Sequence, residues 1–363
     1  MKKTEMPVGD VKLSCRDVWK VYGAHPNRFF QDGSKAAKTR AQPPDLAQKI
    51  RNENHIVASA NVSFDVHEGE IFVIMGLSGS GKSTMVRCLS RLVEPTAGEI
   101  LFDGQNLLTA DKKALIDYRR HKMAMVFQSF GLMPHLNVLD NVAFPLELQG
   151  VPKPQRRAKA MEMVELVGLT GRENSLPHQL SGGQQQRVGI ARSLSTNPDL
   201  WFLDEPFSAL DPLIRRQMQD QFLRIQNDLR KSIVFITHDF MEALRIADRM
   251  AIMRDGEIVQ IGRPVDLILT PANDYVREFT NDVPLELVLT AGDIAEQGIP
   301  SVAGMGEVTA STSLGQLLPY LGAHDAGVLV RDEDGSQIGA LTATSVIKAL
   351  AVKGKRPEQA EAQ

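Results

Sequence analysis

The strongest chemical signal in the sequence is a glycine-rich run, Gly76-Leu-Ser-Gly-Ser-Gly-Lys82-Ser83-Thr84, that fits the pattern G-x-x-x-x-G-K-[ST]. Its glycines let the backbone bend until successive N–H groups point at an anion, and the following helix adds its dipole. Lys82 can reach the β- and γ-phosphates of a nucleotide, and the Ser83 hydroxyl can ligate Mg²⁺. The alternative is a glycine-rich turn with one surface lysine. We predict nucleotide contacts from Gly76, Ser78, Gly79, Ser80, Gly81, Lys82, Ser83 and Thr84.

Two adjacent acids follow a second apolar run, Leu200-Trp-Phe-Leu203. Sheets that alternate strands with helices place their ligands at the carboxyl ends of strands, where Asp204 and Glu205 would lie. Asp204 would hold Mg²⁺ directly or through water, and Glu205 would polarise an attacking water as a general base. Alone, such a pair is more often a turn or a helix cap. The upstream phosphate loop favours a site.

A third run, Leu180-Ser181-Gly182-Gly183-Gln184, resembles the signature of ATP-binding-cassette (ABC) ATPases. Other motifs of that family occur in the same order and spacing. Gln128 resembles the glutamine of the Q-loop, Ser208-Ala-Leu-Asp211 resembles the D-loop, and His238 is similar to the switch histidine. Physically, Ser181 can cap the following helix, and two glycines after it let backbone N–H groups approach a phosphate. Without the other motifs this run would be an ordinary loop and helix cap.

The resemblance implies a role for each residue. ATP is bound with Mg²⁺ at two sites of a head-to-tail homodimer, each between the phosphate loop of one copy and the signature of the other. Tyr22, in Trp19-Lys-Val-Tyr22-Gly, is implied to stack on adenine, and a purely structural aromatic residue is the alternative. The implied residues are Ser181, Gly182, Gly183, Gln184 and Asp211 for the other copy's nucleotide, Glu205, His238, Gln128 and Lys82 for catalysis, and Ser83, Gln128 and Asp204 for Mg²⁺.

The elements needed to position these residues follow from the hydrophobic pattern. Strands that alternate with helices predict an α/β fold with a parallel sheet covered on both faces. The resemblance extends this to a P-loop cassette with a RecA-like mixed or parallel core, an antiparallel β edge, a helical subdomain and a small C-terminal α+β domain. Predicted strands are 11–22, 61–66, 71–75, 200–203 and 233–237, predicted helices are 82–92, 184–195, 212–230 and 239–247, and a hairpin is predicted at 255–256.

Two domains are predicted for the chain. Residues 1–280 form the nucleotide-binding domain, with an insertion at about 23–59 that carries a short helix near 44–52, and a helical subdomain at about 112–190. Within the second domain, 281–363, Val308–Leu350 resembles a single cystathionine-β-synthase (CBS) module. Since these modules work in pairs, this one would pair across the dimer or be purely structural. Whether it senses a nucleotide or salt, or only supports dimerisation, stays open.

Composition sets limits on partners and compartment. The chain has 363 residues, 41 Lys and Arg against 44 Asp and Glu, and a net charge of −3, which gives no field to attract nucleic acid. Its two cysteines, Cys15 and Cys88, predict no disulfide framework and favour a reducing cytosol. Its apolar runs are shorter than the ~20 residues that span a bilayer. We expect a protein on the cytoplasmic side of the plasma membrane, bound peripherally.

A narrower resemblance concerns the transported solute. Gly69–Arg87, Met123–Asn141 and the long insertion resemble ATPases of quaternary-amine importers, which take up glycine betaine, proline betaine or choline. The implied function is ATP hydrolysis that drives import through separate permease subunits and, indirectly, a solute-binding protein. Histidine or trimethylamine N-oxide are alternative solutes. A non-transport ABC ATPase acting on nucleic acid, or a regulatory protein with vestigial hydrolysis, are alternatives from other classes.

Overall fold

The computed structural model describes residues 9–30, 45–129, 131–299, 304–323, 325–332 and 334–351. Its contacts divide the chain into a larger unit that runs to Ile261 and a smaller unit that begins at Gly262. The division therefore falls earlier than the predicted boundary after residue 280. The physical reason is that the two short helices of 264–280 contact each other rather than continuing the sheet that precedes them.

The regular elements are as follows. The strands are β1 (Val11–Tyr22), β2 (Ile56–His67), β3 (Ile71–Met75), β4 (Ala97–Phe102), β5 (Gln105–Asn106), β6 (Met123–Val126), β7 (Leu200–Asp204), β8 (Ser232–Thr237), β9 (Arg249–Arg254), β10 (Glu257–Gly262), β11 (Gly306–Thr309), β12 (Val328–Arg331) and β13 (Gln337–Leu341). The helices are α1 (Leu46–Asn52), α2 (Lys82–Leu89), α3 (Lys112–His121), α4 (Val138–Leu148), α5 (Lys153–Leu166), α6 (Gly182–Leu194), α7 (Pro212–Leu229), α8 (Phe240–Ile246), α9 (Pro264–Leu269), α10 (Asp274–Thr280), α11 (Ala291–Ile294), α12 (Leu314–Leu321) and α13 (Ala343–Ala351). Single 3₁₀ turns occur at Pro26–Phe30, Pro177–Gln179 and Leu285–Leu287.

A six-stranded sheet forms the centre of the larger unit, in the order β10-β9-β3-β8-β7-β6. The pairs β3–β8, β3–β9, β6–β7 and β7–β8 are parallel. Every residue of β3, β7 and β8 is buried, which explains their continuous apolar sequences. The hairpin predicted at Asp255-Gly256 is confirmed between β9 and β10. Because parallel strands end at one edge, the phosphate loop after β3 and the acids after β7 come together.

A second, antiparallel sheet has the order β2-β1-β4-β5, which is the predicted β edge. The two sheets share a core in which Phe64 of β2 stacks on Phe72 of β3 at 4.8 Å between ring centroids. Cys15 and Cys88 are both free and buried, and burial raises the pKa of the Cys88 thiol to about 12. With the parallel sheet and the helices, this arrangement confirms the predicted fold class.

Two predicted bounds in this region need correction. The strand predicted to begin at Asn61 begins at Ile56, where it pairs with Tyr22, so the insertion ends at residue 55. Its first residues, Ile-Val-Ala-Ser-Ala, include residues of low β propensity, and pairing with β1 overrides that preference. The helix after the phosphate loop ends at Leu89 rather than Leu92, because Arg91 has a positive φ of 54°.

The insertion carries the helix that was predicted near 44–52, and this is α1. Its buried residues Leu46, Ala47 and Ile50 pack in a cluster with Trp19 and Val57. Residues 31–44 of the predicted insertion lie outside the described residues.

The helical part of the larger unit consists of α4, α5 and α6, which pack on one another. Within the predicted helical subdomain of 112–190, β6 belongs to the central sheet instead, as the outer neighbour of β7. No helix within the described ranges is both long enough and apolar enough to cross a membrane.

The smaller unit has a three-stranded sheet in the order β11-β12-β13, with β11 parallel and β13 antiparallel to β12. The region that resembles a CBS module includes β12, β13, α12 and α13. The resemblance itself stays a prediction, and residues 352–363 lie outside the described residues.

Candidate functional site

The phosphate loop lies between β3 and α2, as its pattern requires. Two of its glycines, Gly76 and Gly81, have close backbone neighbours. Gly81 has φ +101°, and a Cβ there would lie 2.0 Å from the carbonyl oxygen of Ala58 in β2. Gly76 has φ +158°, and its Cβ would lie 2.2 Å from the carbonyl oxygen of Met253 in β9. Both positions therefore exclude any side chain, since a backbone atom cannot move aside.

Lys82 and Ser83 lie where the two strand ends meet. The Lys82 ammonium donates hydrogen bonds to the carbonyl oxygens of Gly76 and Leu77, each at 2.8 Å. The Ser83 hydroxyl donates to Oδ1 of Asp204 at 2.8 Å. These contacts bring the loop after β3 to the first acid of β7, 121 residues further along the chain.

Burial shifts the pKa values of the two charged groups in opposite directions. It lowers the pKa of the Lys82 ammonium, and the carboxylates of Glu205 and Asp204 partly oppose that shift. Burial also raises the pKa of the Asp204 carboxyl, against the hydrogen bond from Ser83. A bound cation would favour the ionised carboxylate. The oxygen pair of Ser83 and Asp204 suits Mg²⁺, which prefers hard oxygen ligands.

Glu205, His238 and Gln128 form a second cluster beside the first. Oε2 of Glu205 is 3.2 Å from Nδ1 of His238 and 3.4 Å from Nε2 of Gln128. The Gln128 amide is also 3.4 Å from the hydroxyl of Ser208, at the start of the predicted D-loop. Glu205 has a positive φ of 47°, so the extended backbone of β7 ends at Asp204. The structure thus brings together three of the predicted catalytic residues.

Gln128 was also predicted to ligate Mg²⁺. Its side-chain amide donates hydrogen bonds to Glu205 and Ser208, although it lines the same cavity of about 800 Å³ as Asp204. That cavity also contains Arg87, whose guanidinium lies 3.9 Å from the Asp204 carboxylate. No sequence motif singles out Arg87. Its spacing of four residues from Ser83 on the same helix, which puts the two side chains on one face, is the available signal.

The signature run begins α6. Ser181 accepts a hydrogen bond from the Gln184 backbone N–H at 3.3 Å, and its own N–H donates to the Gln184 side chain at 2.9 Å. This reciprocal capping box explains the Ser-Gly-Gly-Gln sequence within one subunit. Ser181 and Gln184 therefore use these groups to cap their own helix.

Asp211 caps α7 by accepting a hydrogen bond from the Ile214 backbone N–H at 3.1 Å. Near it, Arg215 makes a connection that the motifs did not reveal. Its guanidinium donates to the carbonyl oxygen of Leu210 at 3.1 Å and lies 3.5 Å from the carboxylate of Asp239, the neighbour of His238. Arg215 thus joins the predicted D-loop to the predicted switch loop.

Tyr22 lies at the end of β1, opposite Ile56 of β2. Both side chains are exposed, at 41% and 69%. The Lys20 ammonium lies over the Tyr22 ring at 4.6 Å from its centroid, which stabilises the ring orientation. Ala58, two residues after Ile56, is the residue that contacts Gly81 of the phosphate loop. Tyr22 therefore pairs with the strand whose Ala58 contacts the phosphate loop, and its stacking on adenine stays a prediction.

Comparison with known proteins agrees with this geometry. The family model described as ABC transporter matches residues 59–208. A trimethylamine N-oxide transport system ATP-binding protein of Pelagibacter ubique is 47% identical, covering 96% of this chain and 100% of that one. The chain belongs to the ABC transporter ATP-binding family. As an ABC ATPase it binds and hydrolyses ATP, and it couples hydrolysis to transport.

Other relatives support the narrower resemblance. The Ruegeria pomeroyi trimethylamine N-oxide transport system ATP-binding protein is 52% identical, covering 92% of this chain and 95% of that one. The glycine betaine/proline betaine transport system ATP-binding protein of Escherichia coli is 45% identical over 89% of this ABC subunit and 76% of its own length. The predicted resemblance to the quaternary-amine group is confirmed.

A solved structure also matches. A dimeric, post-hydrolysis ATP-binding cassette with bound ADP and Pi is 32% identical, has a TM-score of 0.57, and covers 69% of this chain and 98% of that one. It supports the predicted fold, and that cassette is a dimer.

Proposed function

We propose that this ABC subunit powers import of a small methylated amine, with trimethylamine N-oxide as the first candidate and glycine betaine or a related betaine or choline as the second. The single observation that carries the proposal is its similarity to relatives named for these solutes. The trimethylamine N-oxide proteins are 47% and 52% identical and cover 96% and 92% of this chain, whereas the glycine betaine/proline betaine relative is 45% identical over 89%.

The proposed reaction uses the two clusters at the strand ends. Mg²⁺, held by Ser83 and Asp204 with Gln128 as a further ligand, would offset negative charge on the phosphates. Lys82 leaves its own loop carbonyls to neutralise charge on the γ-phosphate. Glu205 takes the proton of the attacking water at Oε2, and His238, 3.2 Å away, holds that carboxylate and steadies the γ-phosphate.

We further infer that two copies bind two ATP molecules between them. Each copy would present Ser181, Gly182, Gly183, Gln184 and Asp211 to the nucleotide of the other copy. Three exposed apolar side chains adjoin the motifs in the sequence, namely Leu77 in the phosphate loop, Leu213 after the D-loop and Met241 after the switch loop, at 57%, 67% and 43% exposure. Burial of such side chains against a second copy favours association.

The same proposal requires permease subunits. A groove of about 250 Å³ lies beside the Q-loop, and Phe127, Leu92 and Leu148 contribute exposed apolar surface to it. A short helix from a permease, presenting an apolar face, fits such a groove. The subunit would then act on the cytoplasmic side of the plasma membrane, with a solute-binding protein delivering the amine. The unit from Gly262 onward would support dimerisation or regulation.

Transport in a reconstituted system tests the proposal. The chain is assembled with its permease and solute-binding protein in vesicles, and uptake of labelled trimethylamine N-oxide, glycine betaine and histidine is measured. ATP-dependent uptake of a methylated amine, lost with Glu205→Gln, supports the proposal. Uptake of histidine alone, or hydrolysis that no permease stimulates, contradicts it.

A further inference from the structure

The insertion between β1 and β2 has no place in the reaction described above, yet its described helix α1 is packed against the rest of the unit. Its helix α1 buries Leu46, Ala47 and Ile50 against Trp19 and its neighbours. Arg51 lies at the flank of this buried face, one helical turn after Ala47, and its side chain is about one-third exposed, at 31%. Apolar packing therefore holds the helix in place, and the Arg51 guanidinium is not part of that packing.

Arg51 contacts the turn between β9 and β10. Its Nη2 donates a hydrogen bond to the carbonyl oxygen of Asp255 at 2.6 Å, and the carboxylate of Glu257 lies 3.9 Å from the same nitrogen. The two residues joined are 204 positions apart in sequence. A charged donor to a carbonyl is among the stronger hydrogen bonds in proteins.

The same turn holds the phosphate loop. The backbone N–H of Gly256 donates to the carbonyl oxygen of Ser80 at 3.0 Å, and the Gly256 carbonyl accepts from the N–H of Ala60 in β2 at 2.8 Å. Ser80 and Gly81 thus lie between a strand on one side and a turn on the other. Because Gly81 lies against the Ala58 carbonyl, the loop has little room to adjust if the turn shifts.

We propose that Arg51 is a positioning residue for nucleotide binding, and that the insertion supports the phosphate loop through it. The connection runs from α1 through the Asp255 carbonyl and the Gly256 N–H to the Ser80 carbonyl. It fixes the direction of the N–H groups of the loop before ATP arrives, which lowers the cost of binding. The inference rests on ATP binding by this ABC subunit and holds whichever solute is transported.

Steady-state hydrolysis by the purified full-length chain tests the inference. Arg51→Met keeps the aliphatic stem and removes the donor. We expect KM for ATP to rise about five- to tenfold with kcat within about twofold, as loss of one partly exposed charge-assisted hydrogen bond predicts. Arg51→Lys should restore most of the affinity. Lys49→Met, on an exposed position of the same helix, is the matched control and should leave KM unchanged.

Hydrogen exchange separates positioning from general destabilisation. The Gly256 amide, which donates to Ser80, should exchange faster in Arg51→Met, while amides in β3 and β8 keep their protection. If Arg51→Met does not fold, Arg51→Gln replaces it in both measurements. A KM within twofold of the parent, a loss confined to kcat, or a Lys49→Met variant with the same rise in KM overturns the proposal.

Discussion

Replacing Glu205 by glutamine separates proton abstraction from nucleotide binding. The two side chains have nearly the same shape, so the 3.2 Å contact with His238 and the 3.4 Å contact with Gln128 can be kept. The amide, however, cannot accept a proton. A positioned general base contributes about 10²- to 10⁴-fold, so we expect turnover to fall by at least ~10², or about 2.7 kcal/mol in the barrier.

Binding of MgATP should survive this change, because Lys82, Ser83 and Asp204 are untouched. The neighbouring acid is the matched control. Asp204→Asn removes the carboxylate that accepts the Ser83 hydroxyl at 2.8 Å, so it should weaken Mg²⁺-dependent binding of ATP as well as turnover. Phosphate release measures turnover, and equilibrium dialysis with labelled ATP, with and without Mg²⁺, measures binding. Turnover within tenfold of the parent for Glu205→Gln, or an equal loss of binding and turnover, refutes the assignment.

Three further predictions concern other parts of the chain. Ser181→Arg should abolish hydrolysis while a single subunit still binds ATP. The control Asn273→Ala removes the cap of α10 at a similar cost in stability of ~1 kcal/mol and should keep hydrolysis. Hydrolysis by Ser181→Arg would argue against a site shared between two copies. Burial raises the pKa of Glu242 above its ordinary 4.5, so the stability of the parent falls as pH rises through the range above 4.5. The melting temperature of Glu242→Gln should therefore exceed that of the parent by more at pH ~7.5 than at pH ~4.5. A difference that stays the same at both pH values contradicts this. Gly98→Ala would place a Cβ 2.4 Å from the Asp17 carbonyl oxygen and should lower the free energy of unfolding, measured in urea, by at least ~3 kcal/mol. The control Gly104→Ala, at a residue with a positive φ but open space around it, should lower it by only ~1–2 kcal/mol. Equal losses would show that the surroundings of Gly98 relieve the clash.

Local chemistry made the core of the site predictable. The glycine-rich run specifies a loop between a buried strand and a helix, and the acids after Leu203 specify a second strand end. Parallel pairing then requires the two to meet, as the Ser83–Asp204 hydrogen bond shows. These inferences needed only residue types, their spacing and the rules of parallel sheets.

Other features depend on contacts between residues that are far apart in the chain, and no local sequence pattern marks those contacts. The start of β2 at Ile56 is set by pairing with β1, because its own alanines and serine do not favour a strand. Arg51 and Arg215 look like ordinary surface arginines in the sequence. Only the fold shows that Arg51 contacts Asp255 and that Arg215 contacts both Leu210 and Asp239.

The hydrogen bond from Gly256 to Ser80 has a consequence for how the protein is made. A ribosome produces the phosphate loop long before the turn that supports it, and at ~5–20 residues per second the delay is roughly 10–35 s. During that interval the nascent chain has the glycine-rich loop but lacks the turn at Gly256 that donates a hydrogen bond to it. The support that Gly256 gives the phosphate loop is therefore available only after residue 256 has been translated.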